Sequence, residues 1–214
     1  MEEVTENFTR FELDAFLDRI AERAPVPGGG AVAATVGALS CALARMVAAY
    51  SVTKKLSDAD RARVEELAGQ LRITDELMRA LITQDAEAYE RLAVATTNRK
   101  SAASGSGDAV EAEYQAAVAG AIAVPLQIVG LAAQTLSLLT DLGPLANRFL
   151  LSDFGAAAVL SEAAANSAGF MVRVNAASIA DPDRRDKVLS DLEAMLDRCR
   201  ARAEALRNAA ASGA

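Results

Sequence analysis

The sequence predicts an all-α protein, and three observations carry that prediction. No stretch alternates apolar and polar residues with period two for long enough to form a strand. Apolar residues recur instead at three- and four-residue steps through most of the chain. Hydrophobic residues make up 52% of the sequence but aromatics only 4%, so a core must come from close packing of small-faced helices rather than from bulky side chains. At 214 residues the whole chain, 1–214, reads as a single helical domain of about six helices, several of them long and kinked.

The first expected helix covers 9–22, where Phe8, Phe11, Phe16, Leu17 and Ile20 fall near helical spacing opposite Asp14, Asp18 and Arg19. Pro25 and Pro27 stop it, and Gly28, Gly29 and Gly30 supply a backbone that can turn sharply and approach another surface closely. A second helix is expected from Ala31 to Val52. Its only charge is Arg45, and Gly30, Ala34, Gly37, Ala38, Cys41 and Ala42 recur on one side, so a neighbouring helix can lie unusually near. Ser57 or Asp58 caps a third helix over about 59–95 with Val64, Leu67, Leu71, Leu77, Leu81 and Leu92 as its apolar stripe. Small polar residues make 97–108 a loop. The fourth helix, about 109–140, carries Pro125 in its interior, which removes a hydrogen bond and predicts a kink. Asp141 to Pro144 is a break, Ser152 and Asp153 cap a helix reaching about Asn175, and Asp181-Pro182-Asp183 opens a last helix over about 183–208, with a frayed tail beyond it.

Composition excludes several classes of function. A net charge of −7 argues against a nucleic-acid partner, which needs a concentrated basic surface. The two cysteines, Cys41 and Cys199, lie far apart and read as buried free thiols. The chain has no histidine, which removes His-based metal sites and Ser-His or Cys-His nucleophiles; no metal is expected, and proton transfer must use Asp, Glu, Lys, Tyr or Cys. Residues 1–10 are acidic and lack an apolar run, so a cytoplasmic rather than a secreted protein is expected. Residues 31–52 and 115–140 approach membrane-spanning length, yet Arg45, Pro125, Gln127 and Gln134 interrupt them. Buried or interface helices are the better reading, and two nearly uncharged helices expose more apolar surface than one subunit covers, which predicts a helical homodimer.

Candidate chemistry is sparse. Asp85 follows Met78 and Leu81 and precedes Tyr89 at helical spacing, close to the apolar side of its helix. It is either a desolvated general acid–base group or a carboxylate hydrogen-bonded to a neighbouring helix. Gly28 to Gly30 are either a ligand-facing turn at a helix N-terminus or a tight connection. Lys54 and Lys55 either complement a helix C-terminus or meet the carboxylates of a ligand. Asn147, Asp153 and Asn175 are polar groups beside apolar runs; capping accounts for Asp153 and leaves Asn175 unexplained.

Taken in order, Pro27-Gly28-Gly29-Gly30 with its Ala-rich helix and Met46-Val47, Asp85-Ala86-Glu87-Ala88-Tyr89, Val124-Pro125, and Asn147 followed by Ser152-Asp153 resemble the cyclodeaminase/cyclohydrolase family, which includes formiminotetrahydrofolate cyclodeaminase domains and bacterial methenyltetrahydrofolate cyclohydrolases. The chain departs from that pattern at Thr53 and Ala146, where the family usually has Gly. The resemblance implies an enzyme acting on the N5–C–N10 bridge of a reduced folate, with Asp85 as the catalytic carboxylate. It places Pro27, Gly28, Gly29, Gly30, Lys54, Lys55, Asn147, Asp153 and Asn175 around the substrate, and it implies a tetrahydrofolate derivative as substrate with no further cofactor. Cyclohydrolase is preferred because the sequence holds no formiminotransferase part. The alternatives are a cyclodeaminase releasing ammonia and a non-catalytic folate-binding helical dimer.

Overall fold

Helical periodicity with few breakers gives long helices, and a computed structural model, which describes residues 7–102 and 107–213, contains six: α1 (Leu13–Ala21), α2 (Gly29–Ser51), α3 (Asp58–Ser101), α4 (Gly107–Leu142), α5 (Leu151–Ala176) and α6 (Pro182–Ser212). Single turns of 3₁₀ helix stand at Phe8–Arg10, Gly143–Leu145 and Arg148–Leu150, and no strand occurs among the described residues. Helix α4 is the common wall of the bundle, packing on α3, α5, α6 and α2, while α2 lies between α3 and α5. All-α architecture is therefore as the periodicity predicts.

The helix starts follow their caps. The Ser57 side chain accepts the Asp60 N–H at 3.1 Å to open α3, and Asp181 accepts from Asp183 and Arg184 to open α6 with Pro182 in its first turn. Helix α2 begins two residues earlier than expected, so Gly29 and Gly30 belong to the helix and only Gly28 precedes it.

Other boundaries differ for local reasons. The predicted loop at 97–108 is helical to Ser101 and again from Gly107, its remaining centre lying outside the described residues. Arg99 holds α3 and α4 together there, paired with Glu111 at 2.7 Å and stacked over the Tyr114 ring. The expected frayed tail is helix as far as Ser212, because Leu206 and Ala210 pack against the core. Leu77, counted in the buried stripe, is 51% exposed, and Met78 takes its place inside. Ser152 and Asp153 do not cap α5. That helix grows directly out of the 3₁₀ turn that Asn147 caps, so both fall inside its first turn.

Packing of α2 on α3 sets the register of the site. Gly37 leaves the space filled by Met78; a Cβ there would sit 2.5 Å from the Met78 Cε. Seven residues along each helix, two turns in opposite directions, Gly30 faces Asp85 in the same way. Beyond Gly37 and Met78, on the side away from Asp85, Arg45 reaches the buried carboxylate of Asp75, which also accepts from Arg79 at 2.8 Å, so the one charge in α2 is paired. Helices α2 and α4 are long and apolar enough to cross a membrane, and about half of each apolar window is buried inside the bundle.

Gly37→Leu is expected to lower stability by about 1–3 kcal/mol through overpacking, read as a lower denaturation midpoint. Combining it with Met78→Ala should recover part of that loss; additivity of the two effects would contradict the packing described.

Candidate functional site

Helix α2 lacks the usual start. Its N-cap, Gly28, has no side chain, and no local group accepts the first N–H donors. The acceptor comes from α3: Asp85 Oδ2 takes the Ala31 N–H at 3.0 Å, at the position an N-cap side chain ordinarily serves. Gly30 makes the approach possible, because a Cβ on residue 30 would overlap the Asp85 carboxylate. None of the three glycines adopts a left-handed backbone; Gly30 is glycine for space, whereas a Cβ on Gly29 would press only on the Met171 side chain and one on Gly28 would make an ordinary contact. The Asp85 carboxylate is tied to a neighbouring helix, as one sequence reading has it, and is also shielded from water, the setting that the other reading requires. Burial pushes its carboxyl above the usual range, against the smaller opposing effect of the Ala31 N–H.

Asp85 opens into a cavity of about 260 Å³ between the α2 N-terminus, α3, α4 and the C-terminal end of α5. Gly28, Gly29, Gly30 and Asn175 line it with Asp85. Pro27 is buried beside them without reaching the cavity. The remaining wall is apolar: Ala88, Tyr89 and Leu92 continue the Asp85 face of α3, and Met171 and Val174 come from the Asn175 turns of α5. The sequence reading missed this wall, although Tyr89 and Leu92 stand four and seven residues after Asp85 and Met171 four before Asn175, the helical signature of a shared face.

Asn175 has a structural explanation that spacing alone could not supply. Pro125 has no N–H, so the carbonyl four residues before it, Ala121, loses its helical partner. Asn175 Nδ2 donates to that carbonyl at 2.8 Å. The bond fixes the amide orientation, and among the described residues the Asn175 Oδ1 has no protein partner, leaving an acceptor beside Asp85 in the cavity.

The other expected contacts are elsewhere in the chain. Helix α2 is 23 residues long, so its ends are about 33 Å apart at 1.5 Å per residue. Lys54 and Lys55 lie beyond the far end in an exposed turn, outside the last turn of α2, so they do not complement its C-terminus. Asn147 is also at that end. Its Nδ2 donates to the Tyr50 carbonyl at 3.0 Å, its N–H to Ser51 Oγ at 2.9 Å, and its Oδ1 accepts the Phe149 N–H, which together bind the α4–α5 connection to the end of α2. Asp153 sits in the adjoining first turn of α5. The chain therefore separates the expected ligand contacts into two groups, with Asp85, the glycines and Asn175 at one end and Lys54, Lys55, Asn147 and Asp153 at the other. Cys41 and Cys199 are buried free thiols away from both groups.

Comparison with known proteins adds independent findings. A family model described as Formiminotransferase-cyclodeaminase matches residues 12–194. Methenyltetrahydrofolate cyclohydrolase of Methylorubrum extorquens is 31% identical over 192 residues, covering 86% of this chain and 88% of that protein. Formimidoyltransferase-cyclodeaminase of Rattus norvegicus is 27% identical over 191 residues, covering 89% of this chain but 35% of that protein. The crystal structure of formiminotetrahydrofolate cyclodeaminase from Thermotoga maritima superposes with a TM-score of 0.78 at 28% identity, covering 94% of this chain and 97% of that one.

The raised carboxyl has a signed consequence for stability. The folded chain holds the Asp85 proton more readily than the unfolded chain, so this group's contribution is fully present below the unfolded value of about 3.9 and is lost as pH rises through the higher folded value. Asp85→Asn keeps an acceptor for Ala31 and has no charge to desolvate. Chemical denaturation should find it at least as stable as the native protein at pH 7, with the advantage shrinking toward pH 4. A variant that is weaker than the native protein at pH 7, with the deficit shrinking toward pH 4, would show that the charge on the helix N-terminus outweighs its burial.

Proposed function

The chain belongs to the formiminotransferase-cyclodeaminase family, and from that premise we propose that it is a methenyltetrahydrofolate cyclohydrolase, converting 5,10-methenyltetrahydrofolate and water to 10-formyltetrahydrofolate. The observation that carries the reading is Asp85: a shielded carboxylate with one oxygen held by a helix N-terminus and the other open to a mostly apolar cavity.

Oδ2 is fixed by the Ala31 N–H, which leaves Oδ1 to face a water molecule. Asp85 takes a proton from that water as its oxygen bonds to the cationic carbon between N5 and N10. The resulting tetrahedral carbon breaks its bond to N5, which receives the proton back from Asp85, while the remaining hydroxyl proton leaves to solvent as the formyl C=O forms on N10. Positioned proton transfer of this kind supplies about 10²–10⁴ in rate. The carboxylate also offsets the positive charge of the bridge in a site of low polarity. Because water adds to a carbon that is already cationic, the step calls for no metal or redox cofactor. Asn175 Oδ1 offers an acceptor for an N–H of the pterin, and the cavity at about 260 Å³ fits a ring system rather than a whole folate, since pockets for small-molecule ligands in general run to roughly 300–1,000 Å³.

The same residues suit the cyclodeaminase reaction, in which N10 attacks a formimino carbon and ammonia departs. The end-to-end likeness to the Thermotoga maritima cyclodeaminase keeps that second reading in play. We place the protein in the cytoplasm, where two unpaired thiols suit a reducing compartment, as a homodimer with neither nucleic-acid nor membrane partners. Exposed apolar residues along α2 and α5 and the acidic net charge support this.

Purified protein should abolish the methenyl absorbance of 5,10-methenyltetrahydrofolate, and Asp85→Asn should lower kcat by about 10²–10⁴ while leaving the fold intact. The native rate should rise with pH along a limb set by Asp85, above the ordinary carboxylate value of about 3.9, and the variant should lack that limb. Ammonia release from the formimino compound without methenyl hydrolysis would select the cyclodeaminase reading, and neither activity would overturn both.

A further inference from the structure

The Asp85 cavity holds more polar chemistry than the proton transfer uses. Among the described residues, the polar side chains that line it are Asp85, Asn175 and Tyr89, the last 48% exposed. The start of α2 adds backbone donors. Its Ala31 N–H goes to Asp85 and its Val32 N–H to the Gly28 carbonyl. The N–H groups of Gly29 and Gly30, residues that also line the cavity, meet no acceptor among the described residues.

Asn175 supplies the opposite polarity. An amide side chain can present either its oxygen or its NH₂ to a ligand. Here the Ala121 carbonyl, which can only accept, holds Nδ2 at 2.8 Å and leaves Oδ1 as the free end. Pro125, by depriving that carbonyl of its helical donor, decides which end a ligand meets. One cavity thus offers two backbone donors and one fixed acceptor beside the reacting carboxylate.

That combination matches one edge of a pterin. In a 4-oxo pterin the C4 carbonyl accepts, the adjoining N3–H donates, and N5 lies across the ring fusion from the same carbonyl. A ring whose carbonyl meets the start of α2 therefore brings N5 to the Asp85 side, as the proton transfer requires. Its flat faces meet the apolar walls, Tyr89 and Leu92 from α3 and Met171 and Val174 from α5.

Resting on the folate reading above, we propose that this site selects its ligand by the lactam edge of the pterin, the Gly29 and Gly30 N–H groups donating to the C4 carbonyl and Asn175 Oδ1 accepting from N3–H. The substrate class is thereby narrowed to 4-oxo pterins. A 4-amino pterin carries the reverse pattern, an NH₂ donor at C4 and a bare N3 acceptor. It would set donor against donor at α2 and acceptor against acceptor at Asn175, leaving buried polar groups unpaired on both sides.

Anaerobic calorimetry with tetrahydrofolate and its 4-amino-4-deoxy counterpart, two ligands that differ only at this edge, tests the proposal without turnover. The native protein should bind the 4-oxo ligand about 10- to 100-fold more tightly. Asn175→Ala, with its helical circular dichroism unchanged, should lose about tenfold of that preference. A native preference near one, or a preference that survives Asn175→Ala in full, would overturn the proposal while leaving the folate reading intact. Failure of the native protein to bind either ligand would instead fault the folate reading, and this proposal with it.

Discussion

The hydrogen bond from Ala31 N–H to Asp85 is the contact on which the rest of the site depends. It closes the open start of α2, fixes the rotation of α3 against α2 and holds the carboxylate at the floor of a cavity. A helix N-terminus ordinarily steadies a negative charge, and burial opposes that charge; here burial outweighs the bond and leaves the carboxyl readier to hold a proton than in water. A carboxyl shifted in that direction exchanges its proton closer to neutrality than a free one does, the direction that a proton carrier between water and nitrogen requires.

The glycines follow from the same constraint. Gly30 and Gly37 stand one heptad apart on α2, opposite Asp85 and Met78 one heptad apart on α3. One pair places the reactive group and the other fills the core, so chemistry and packing share a single register. Asn175 obeys a similar economy. The carbonyl that Pro125 leaves unpaired in α4 becomes the anchor that orients an amide on α5, and a helix defect thereby serves the cavity.

Much of this was legible in the sequence and some was not. Periodicity and the Ser57 and Asp181 caps are local properties, and they located the long helices. Asp85 could be picked out because its position on the stripe is also local. The cap at Ser152-Asp153 misread a site where Asn147 and a 3₁₀ turn start the helix, an alternative of equal local quality decided by the bonds of Asn147 to Tyr50 and Ser51, about a hundred residues away. Arg99 lengthens α3 through contacts on α4, which no window of sequence around residue 97 contains. The separation of Lys54 and Lys55 from Asp85 was hidden for the plainest reason: sequence order does not state that α2 keeps them some 33 Å apart.

The central claim is that Asp85, seated on the α2 N-terminus, holds a proton more readily than a free carboxylate. A carboxyl-carbon NMR titration with labelled aspartate, assigned by the resonance lost in Asp85→Asn, measures this directly. The account predicts a midpoint for Asp85 above the ordinary value of about 3.9; a midpoint at or below it would show that the helix N-terminus governs the carboxylate and would contradict its role as proton carrier.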